Sequence, residues 1–452
     1  VKHSSSFHGG IIMKLSGVRL SHRKSTSNFA PQRLPLPEKV IIPMSMHIGK
    51  PAVPTVKIGQ RVTVGELIGK ADGFVSANIH SSVSGTVKKI SEITVSGGAK
   101  TSAIEIETDG LQEVWEGIAP PQVNDFESFI KAVNDSSVVG LGGAGFPTFI
   151  KLGVKDLSQV KTIIINSAEC EPYITSDTRT MLDKAQYIST GIDLLLKYLS
   201  PEKVIIGIED NKKSSIAEMK KIALENPKVE VKVLPSIYPQ GGEKVLVYNT
   251  TGKIIPKGGL PIDVGAIVIN CTTLATIAQY IETGMPLIEK CVTVDGSAVK
   301  EPKNVIAPIG TPIEKLFEFC SGFKSEPKKV IYGGPMMGIA VTSLDAPVLK
   351  MTNAVIAMDE KEATPPKTTA CIKCGKCINH CPLKLDPPAI AKALKLGDYN
   401  ELKELHADLC MECGCCSYIC PAKRPIVQNN KLAKQKLNQY IKEQKSKEEV
   451  KN

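Results

Sequence analysis

Eight of the thirteen cysteines fall into two matching frames. Cys371, Cys374, Cys377 and Cys381 precede Pro382, and Cys410, Cys413, Cys416 and Cys420 precede Pro421, so that both read C-x-x-C-x-x-C-x-x-x-C-P. Three thiolates at this spacing wrap one corner of an iron–sulfur cube, and the fourth, held by the proline, ligates the other cluster. This assigns one 4Fe-4S cluster to Cys371, Cys374, Cys377 and Cys420 and a second to Cys410, Cys413, Cys416 and Cys381. Zinc is the alternative, but its sites favour two C-x-x-C pairs or Cys/His mixtures. Such clusters carry single electrons and leave substrate chemistry to another group. Cys415 lies inside the second frame without a place in it, and Cys170, Cys271, Cys291 and Cys320 read as buried free thiols.

Elements must hold these frames. Between them Ile390, Ala393 and Leu394 recur at helical spacing over Pro387–Leu396, Gly397-Asp398 interrupts, and Leu402 and Leu405 mark a second short helix. The result is a helical ferredoxin module. Upstream, Gly140-Leu141-Gly142-Gly143-Ala144-Gly145-Phe146-Pro147-Thr148 follows the apolar Val138-Val139. Its glycines let backbone amides approach an anion or a flat ring. It has neither the G-x-x-x-x-G-K-S/T of a P-loop nor a full G-x-G-x-x-G.

Around that loop strands and helices alternate. Lys161–Asn166 reads as a strand ending in Asn-Ser-Ala-Glu-Cys-Glu-Pro at 166–172. The stripe of Ala185, Ile188, Ile192, Leu195 and Leu199 after Met181 predicts a helix, Lys203–Ile208 a strand, Ser214–Leu224 a helix and Val229–Leu234 a strand. This order implies a mostly parallel sheet with ligands at its strand ends. Polar clusters at Tyr238–Glu243 and Asn270–Thr273 also follow apolar runs.

The Gly-Gly-Ala-Gly-Phe-Pro-Thr run with Lys151, the 166–172 segment, Gly241-Gly242-Glu243 and Asn270 resemble the flavin- and NADH-binding blocks of the complex I flavoprotein subunit. With the doubled ferredoxin motif and Phe7-His8-Gly9-Gly10, the chain resembles still more closely the C subunit of Rnf-type ion-translocating ferredoxin:NAD oxidoreductases. The resemblance implies that Gly142, Gly143, Gly145, Thr148 and Lys151 cradle the phosphate and ribityl chain of non-covalent FMN, with Asn166 and Asn270 also at the flavin. It implies that Phe146, Glu169, Glu171, Tyr238 and Glu243 line the site for NAD(H), whose ribose hydroxyls suit carboxylates. The chain departs from those blocks at Ala168, where an Asp stands, and at Gly242, where the first of two glutamates stands. No general acid or base is named, because hydride transfer needs none.

Other stretches suggest further modules. Val56–Val62, Val64–Gly69 and Val83–Val87 alternate short strands with glycine turns and resemble a lipoyl-like barrel-sandwich domain, whose expected hairpin, Ile79-His80-Ser81-Ser82-Val83, offers no lysine. Residues 291–341 resemble a β-grasp soluble-ligand-binding (SLBB) domain. The expected organisation is an extended segment at 1–39, the barrel-sandwich at 40–108, a Rossmann-like FMN/NADH-binding α/β domain at 120–286, the β-grasp at 287–345, the two-cluster ferredoxin at 365–422 and a basic helical tail at 423–452. In that tail Leu432, Leu437 and Ile441 are expected to share a face, and docking to an anionic membrane or acidic partner is the sharper reading of its charge.

Composition fits this multidomain α/β plan. The 452 residues are 42% hydrophobic and 23% charged, which suits several folded domains. Of the net charge of +10, the tail supplies +6, from nine Lys/Arg against three Glu, and aromatics are only 5%. Nucleic acid is therefore excluded as a partner. No secretory leader and no transmembrane helix are expected: Val264–Ile281 is uncharged but holds Asn270, Thr272, Thr273, Thr276 and Gln279. The resemblance implies a peripheral oxidoreductase subunit on the cytoplasmic face of the cell membrane. It would pass electrons between 4Fe-4S clusters, FMN and NAD(H), with a ferredoxin-like iron–sulfur subunit and other Rnf-type subunits as partners, the latter moving ions. A cobalamin (corrinoid) reductase using the same cofactors is one alternative, and an electron-wire scaffold without flavin is another.

Overall fold

The computed structural model describes residues 16–95 and 98–449; the Phe7–Gly10 motif lies outside them. Its contacts divide the chain into two compact units. Among the described residues, one comprises 21–236 with 240–366, and the other 16–20, Ile237–Pro239 and 367–449.

The larger unit begins with strand β1 (Gln32–Arg33). A barrel-sandwich follows, from β2 (Lys39–Pro43), β3 (Val53–Pro54), β4 (Arg61–Val62), β5 (Leu67–Lys70), β6 (Ile79–His80), β7 (Gly85–Thr94) and β8 (Lys100–Thr108). Two sheets, β2-β8-β7-β4 and β3-β5-β6, face each other across Val40, Ile42, Met44, Val62, Ile68, Ile79, Val87, Ile104 and Ile106, all buried. Val40 and Ile42 of β2 and Ile104 and Ile106 of β8 are buried at alternate positions, as the period of two requires.

The α/β domain runs through α1 (Phe126–Asp135), α2 (Thr148–Leu152), β9 (Thr162–Ser167), α3 (Ser176–Asp183), α4 (Ala185–Leu199), β10 (Lys203–Glu209), α5 (Lys213–Glu225), β11 (Val229–Leu234), α6 (Glu243–Thr251), β12 (Ala266–Asn270) and α7 (Cys271–Thr283). Its sheet is wholly parallel in the order β11-β10-β9-β12. The runs Ile163–Ile165, Val204–Ile206 and Ile267–Ile269 are buried throughout, because helices cover a parallel sheet on both faces. Each such side chain removed from water contributes about 1.5–3 kcal/mol. The chain moves from β9 to β10 and β11 on one side, while β12 returns on the other. The crevice at the ends of β9 and β12 is thus a topological switch point, where open α/β sheets bind ligands.

The β-grasp module contains β13 (Glu289–Asp295), β14 (Lys303–Pro308), α8 (Ile313–Phe319), β15 (Lys329–Tyr332), β16 (Ile339–Ala340) and β17 (Ala354–Met358), with α9 (Glu360–Ala363) after it. Its six-stranded sheet, β1-β14-β13-β17-β15-β16, draws β1 from the N-terminal segment, parallel to β14, and β17 from beyond residue 345. Val292, Val294, Val305, Leu316 and Phe317 fill its core.

In the smaller unit α10 (Lys376–Asn379), α11 (Pro387–Leu396), α12 (Tyr399–Glu404), α13 (Cys415–Tyr418) and α14 (Ile426–Glu449) surround a core of Ile390, Ala393, Leu402, Ala407, Ala433 and Leu437. Helix α14 belongs to this fold and is not an appended tail. Tyr440 stacks on Tyr399 with ring centroids 4.8 Å apart, and Lys434 Nζ donates to the Cys410 carbonyl at 2.9 Å. The expected apolar face shifts by one residue. Ala433, Leu437 and Ile441, at strict four-residue spacing, face the core, whereas Leu432 is 44% exposed. No helix among the described residues is long and apolar enough to cross a membrane.

Candidate flavin and iron–sulfur sites

The glycine-rich loop is closed at its base by backbone bonds, Gly140 N to Phe146 O at 2.9 Å and Thr148 N to Val138 O at 3.3 Å. Its crown, Gly142–Ala144, is exposed. Gly145 has φ +74°, and a Cβ there would lie 2.8 Å from Met351 Cε, so a side chain is excluded by conformation and by contact. Gly142 and Gly143 differ. A Cβ on Gly142 would come within 2.5 Å of Asn270 Nδ2, whereas one on Gly143 meets nothing within 4 Å. The second glycine opens onto free space that a ligand can fill.

The strand ends bring Asn166 and Asn270 side by side, in register across β9 and β12. Asn166 Nδ2 donates to the Gly241 carbonyl at 2.9 Å. Asn270 caps α7, its Oδ1 accepting from Thr273 N at 3.0 Å, while its Nδ2 donates to Asp177 Oδ2 at 2.8 Å. Thr273 Oγ1 in turn accepts from Leu141 N at 3.0 Å. The α7 N-terminus, the glycine loop and the β9 end are thereby tied together, and the Cys271 and Thr272 N–H groups of the first turn of α7, which have no intrahelical acceptor, suit a phosphate. Lys151 Nζ donates to Glu243 Oε2 at 2.7 Å and to the Val268 carbonyl at 3.1 Å, pairing a residue expected at the flavin with one expected at the nucleotide.

The cradle fits a flavin phosphate and ribityl chain on an observation of its own: Thr148 Oγ1 is buried and without a hydrogen-bond partner, an open bonding position of the kind a ligand hydroxyl or phosphate oxygen fills.

The remaining expected nucleotide contacts are placed differently. Phe146 is half-buried at the loop base. Glu169 is buried, and its oxygens accept from Asp177 N at 2.7 Å, Thr178 Oγ1 at 2.6 Å and Lys212 Nζ at 3.0 Å. Burial opposes its charge, but the two lysines Lys212 and Lys24 prevail and hold its carboxyl below the usual range. Glu171 accepts the backbone N–H groups of Met336 and Met337 at 3.0 and 2.8 Å, and burial raises its carboxyl to about 7 despite them. Tyr238 lies in the smaller unit, where its hydroxyl donates to the Cys413 carbonyl at 2.8 Å. Asp177, which accepts from Thr272 Oγ1 at 2.6 Å, is a candidate site residue that sequence reasoning missed, because an Asp inside Thr-Ser-Asp-Thr carries no motif.

In the smaller unit the four frame cysteines Cys381, Cys410, Cys413 and Cys416 line one cavity, together with Cys415, which has no place in the frame. Cys377 packs with Cys420, and burial first, then Cys420 and Cys374 in their thiolate forms, push the Cys377 thiol up. Cys371 and Cys374 are exposed and Cys377 half-buried, whereas Cys420 and the cavity cysteines are buried. Burial pushes the Cys381, Cys410 and Cys416 thiols up, Cys416 to about 12, so metal must displace their protons. The two frames repeat one backbone path: Lys373 and Gly375 match Glu412 and Gly414, and Lys384 matches Lys423, all with positive φ. The left-handed residues turn amides toward sulfur, as in Lys373 N to Cys371 Sγ and Leu385 N to Cys381 Sγ, both 3.4 Å. No three His, Cys, Asp or Glu side chains among the described residues are arranged to hold a single metal ion. Thiols spread around a cavity fit a cubane, which carries several irons between its ligands.

Comparison with known proteins agrees module by module. Residues 6–111 match the RnfC barrel sandwich hybrid domain, 133–279 the Nuo51 FMN-binding domain, 291–340 the SLBB domain and 366–433 the 4Fe-4S dicluster domain. The chain is similar in fold to an NAD+-reducing NiFe-hydrogenase in the air-oxidized state, with a TM-score of 0.51 and 17% identity over 68% of this chain and 60% of that one. It is 39% identical, over 93% of its length and 96% of the relative's, to the C subunit of the Na(+)-translocating ferredoxin:NAD(+) oxidoreductase complex of Acetobacterium woodii. It is 42% identical, over 88% of its length and 86% of the relative's, to the C subunit of the proton-translocating ferredoxin:NAD(+) oxidoreductase complex of Clostridium ljungdahlii. A flavin-type α/β domain, a cysteine-lined dicluster module and this degree of identity have one reading: the chain belongs to the family of C subunits of ion-translocating ferredoxin:NAD(+) oxidoreductase complexes.

Proposed function

We propose that this chain is the peripheral electron-transfer subunit of a membrane-bound ferredoxin:NAD oxidoreductase, and that it works on the cytoplasmic face of the membrane. Ion movement belongs to partner subunits, among them a ferredoxin-like iron–sulfur subunit that exchanges electrons with its clusters. The observation that carries the reading is the coexistence of a glycine-loop cradle at a parallel-sheet switch point with two complete C-x-x-C-x-x-C-x-x-x-C-P frames in one polypeptide. Bound FMN supplies the exchange between a two-electron hydride carrier and one-electron clusters.

The chain's residues then have distinct tasks. Gly142, Gly143 and Gly145 bring loop amides close. The α7 N-terminus and Lys151 neutralise the flavin phosphate, Thr148 donates its unpaired hydroxyl, and Asn166 and Asn270 orient the group between β9 and β12. Glu243, 40% exposed at its side chain, and Phe146 face the nicotinamide nucleotide. Glu169 and Glu171 act on that site by holding the 166–172 segment, given their filled hydrogen bonds, and Tyr238 braces Cys413 within the cluster-bearing unit. One cluster is held by Cys371, Cys374, Cys377 and Cys420, the other by Cys381, Cys410, Cys413 and Cys416.

Anaerobic purification with flavin and iron quantitation tests the reading. One FMN and eight irons per chain, with NADH bleaching the flavin, are expected of two 4Fe-4S clusters; iron without flavin would favour the electron-wire reading. The corrinoid-reductase alternative draws no support from the names of the relatives.

A further inference from the structure

A second cavity lies in the larger unit. It has a volume of about 230 Å³ and is lined by Lys24, Ser27, Asn28, Thr178, Leu182, Asn211, Lys212, Lys213, Ser214 and Ser215. Three lysines line it and no carboxylate does. Its floor is the N-terminus of α5, a 13-residue helix that starts at Lys213 and has no side-chain cap. The N–H groups of Lys213, Ser214 and Ser215 therefore have no intrahelical acceptor, and the helix dipole places positive potential there. Independently of the helix end, the Ser215 hydroxyl is unpartnered in a residue only 1% exposed, at the wall of the same cavity. A buried hydroxyl without a partner is a bonding position that the protein itself leaves open.

The lysines are partly committed. Lys24 Nζ donates to the carbonyls of Glu169, Glu171 and Ile174, and Lys212 Nζ to Glu169 and Thr178. Glu169 offsets part of their charge. Glu209 is buried behind them with neither oxygen hydrogen-bonded, and burial holds its carboxyl above the usual range. Lys213 and Ser214 stand exposed at the rim. Donors thus outnumber acceptors around a space smaller than the roughly 300–1,000 Å³ that drug-sized ligands occupy.

We propose that this cavity binds a small phosphate-type oxyanion, through the α5 amides and the hydroxyls of Ser214 and Ser215, at a site separate from the flavin cradle at α7. The site touches Thr178 and Lys212, which hold Glu169. Residues of that network continue through Asp177 to Asn270 at the glycine loop.

The test uses the full chain with clusters and FMN in place, so that the flavin cradle is already filled. Inorganic phosphate and pyrophosphate are titrated calorimetrically at constant ionic strength, and amide hydrogen exchange is followed with and without pyrophosphate. Saturable binding is expected, with slowed exchange at 213–215. Ser214→Glu, which puts a carboxylate in the site at a position favourable to the helix, should weaken binding at least about tenfold, and Ser215→Ala by several-fold, with flavin and iron contents unchanged. If one anion binds well above the other, the ligand is thereby distinguished as a single phosphate or a pyrophosphate group. Absence of saturable binding by either anion, an unchanged affinity in Ser214→Glu, or protection confined to other segments overturns the proposal.

Discussion

Two adjacent glycines should respond to substitution in opposite ways. In Gly142→Ala the new Cβ would sit 2.5 Å from Asn270 Nδ2 and 2.9 Å from its Cγ, which forces that side chain aside. Asn270 is then lost both as the cap of α7 and as the donor to Asp177 Oδ2. Losing a cap costs about 0.5–2 kcal/mol, and leaving a buried acceptor unpaired costs about 1–3 kcal/mol. With partial relaxation the flavin-free domain should lose about 2–4 kcal/mol. At about 2–4 °C per kcal/mol for a domain of this size, its melting temperature should fall by roughly 4–16 °C. Gly143→Val meets no protein atom at its Cβ and carries no positive φ. Its flavin-free melting temperature should stay within about 2 °C of the parent, yet it should fail to retain FMN, since its side chain occupies the open crown. The assay is thermal unfolding of deflavinated protein followed by flavin fluorescence titration of each variant. Equal loss of flavin-free stability in both, or normal FMN retention by Gly143→Val, would refute the geometry argued for the loop.

Three further outcomes follow from the same structure. Cys377→Ser should remove the signal of one cluster and about half the iron, while NADH still reduces the flavin; loss of both cofactors would contradict the separation of the sites, as read by electron paramagnetic resonance and flavin absorbance. Glu171 has a folded carboxyl pKa of about 7 against an ordinary 4.5, so the folded state holds the extra proton between those values. Its contribution to stability is complete below pH 4.5 and is lost as pH rises through 7. Glu171→Gln should flatten the fall in melting temperature between pH 5 and 8, and an unaltered slope would show that another group governs it. Truncation after residue 426 removes Ala433, Leu437 and Tyr440 from the cluster-bearing core and should abolish iron binding, whereas truncation after residue 441 should leave iron content intact.

The elements that sequence periodicity made legible are those where burial follows a regular period. The stripe Ile188, Ile192, Leu195 and Leu199 is the buried face of α4, and the expected helix at Pro387–Leu396 is α11 residue for residue. Strands β9 and β10 were visible because both their faces are covered. Short strands that gain their identity only from a distant partner were not visible: β1 is two exposed residues, defined solely by its pairing with β14. The same holds at the site. The glycines announce themselves by type and spacing, but whether a glutamate meets solvent or two lysines depends on Lys24 and Lys212, which lie 145 and 43 residues from Glu169. In α14 a five-residue step from Leu432 to Leu437 looked helical, yet it turns the side chain well off the four-residue line of Ala433, Leu437 and Ile441.

The pairing of β1 with β14 makes the β-grasp module hostage to the N-terminal segment. A shortened chain beginning at the barrel-sandwich would lay bare the outer rim of the six-stranded sheet, with the Val305 and Ile306 backbone no longer matched by Gln32 and Arg33. Uncovered rims recruit strands from other molecules, so such a fragment would tend to self-associate even with every helix intact, and dissection of this protein into working pieces has to carry residues from both ends of the module together.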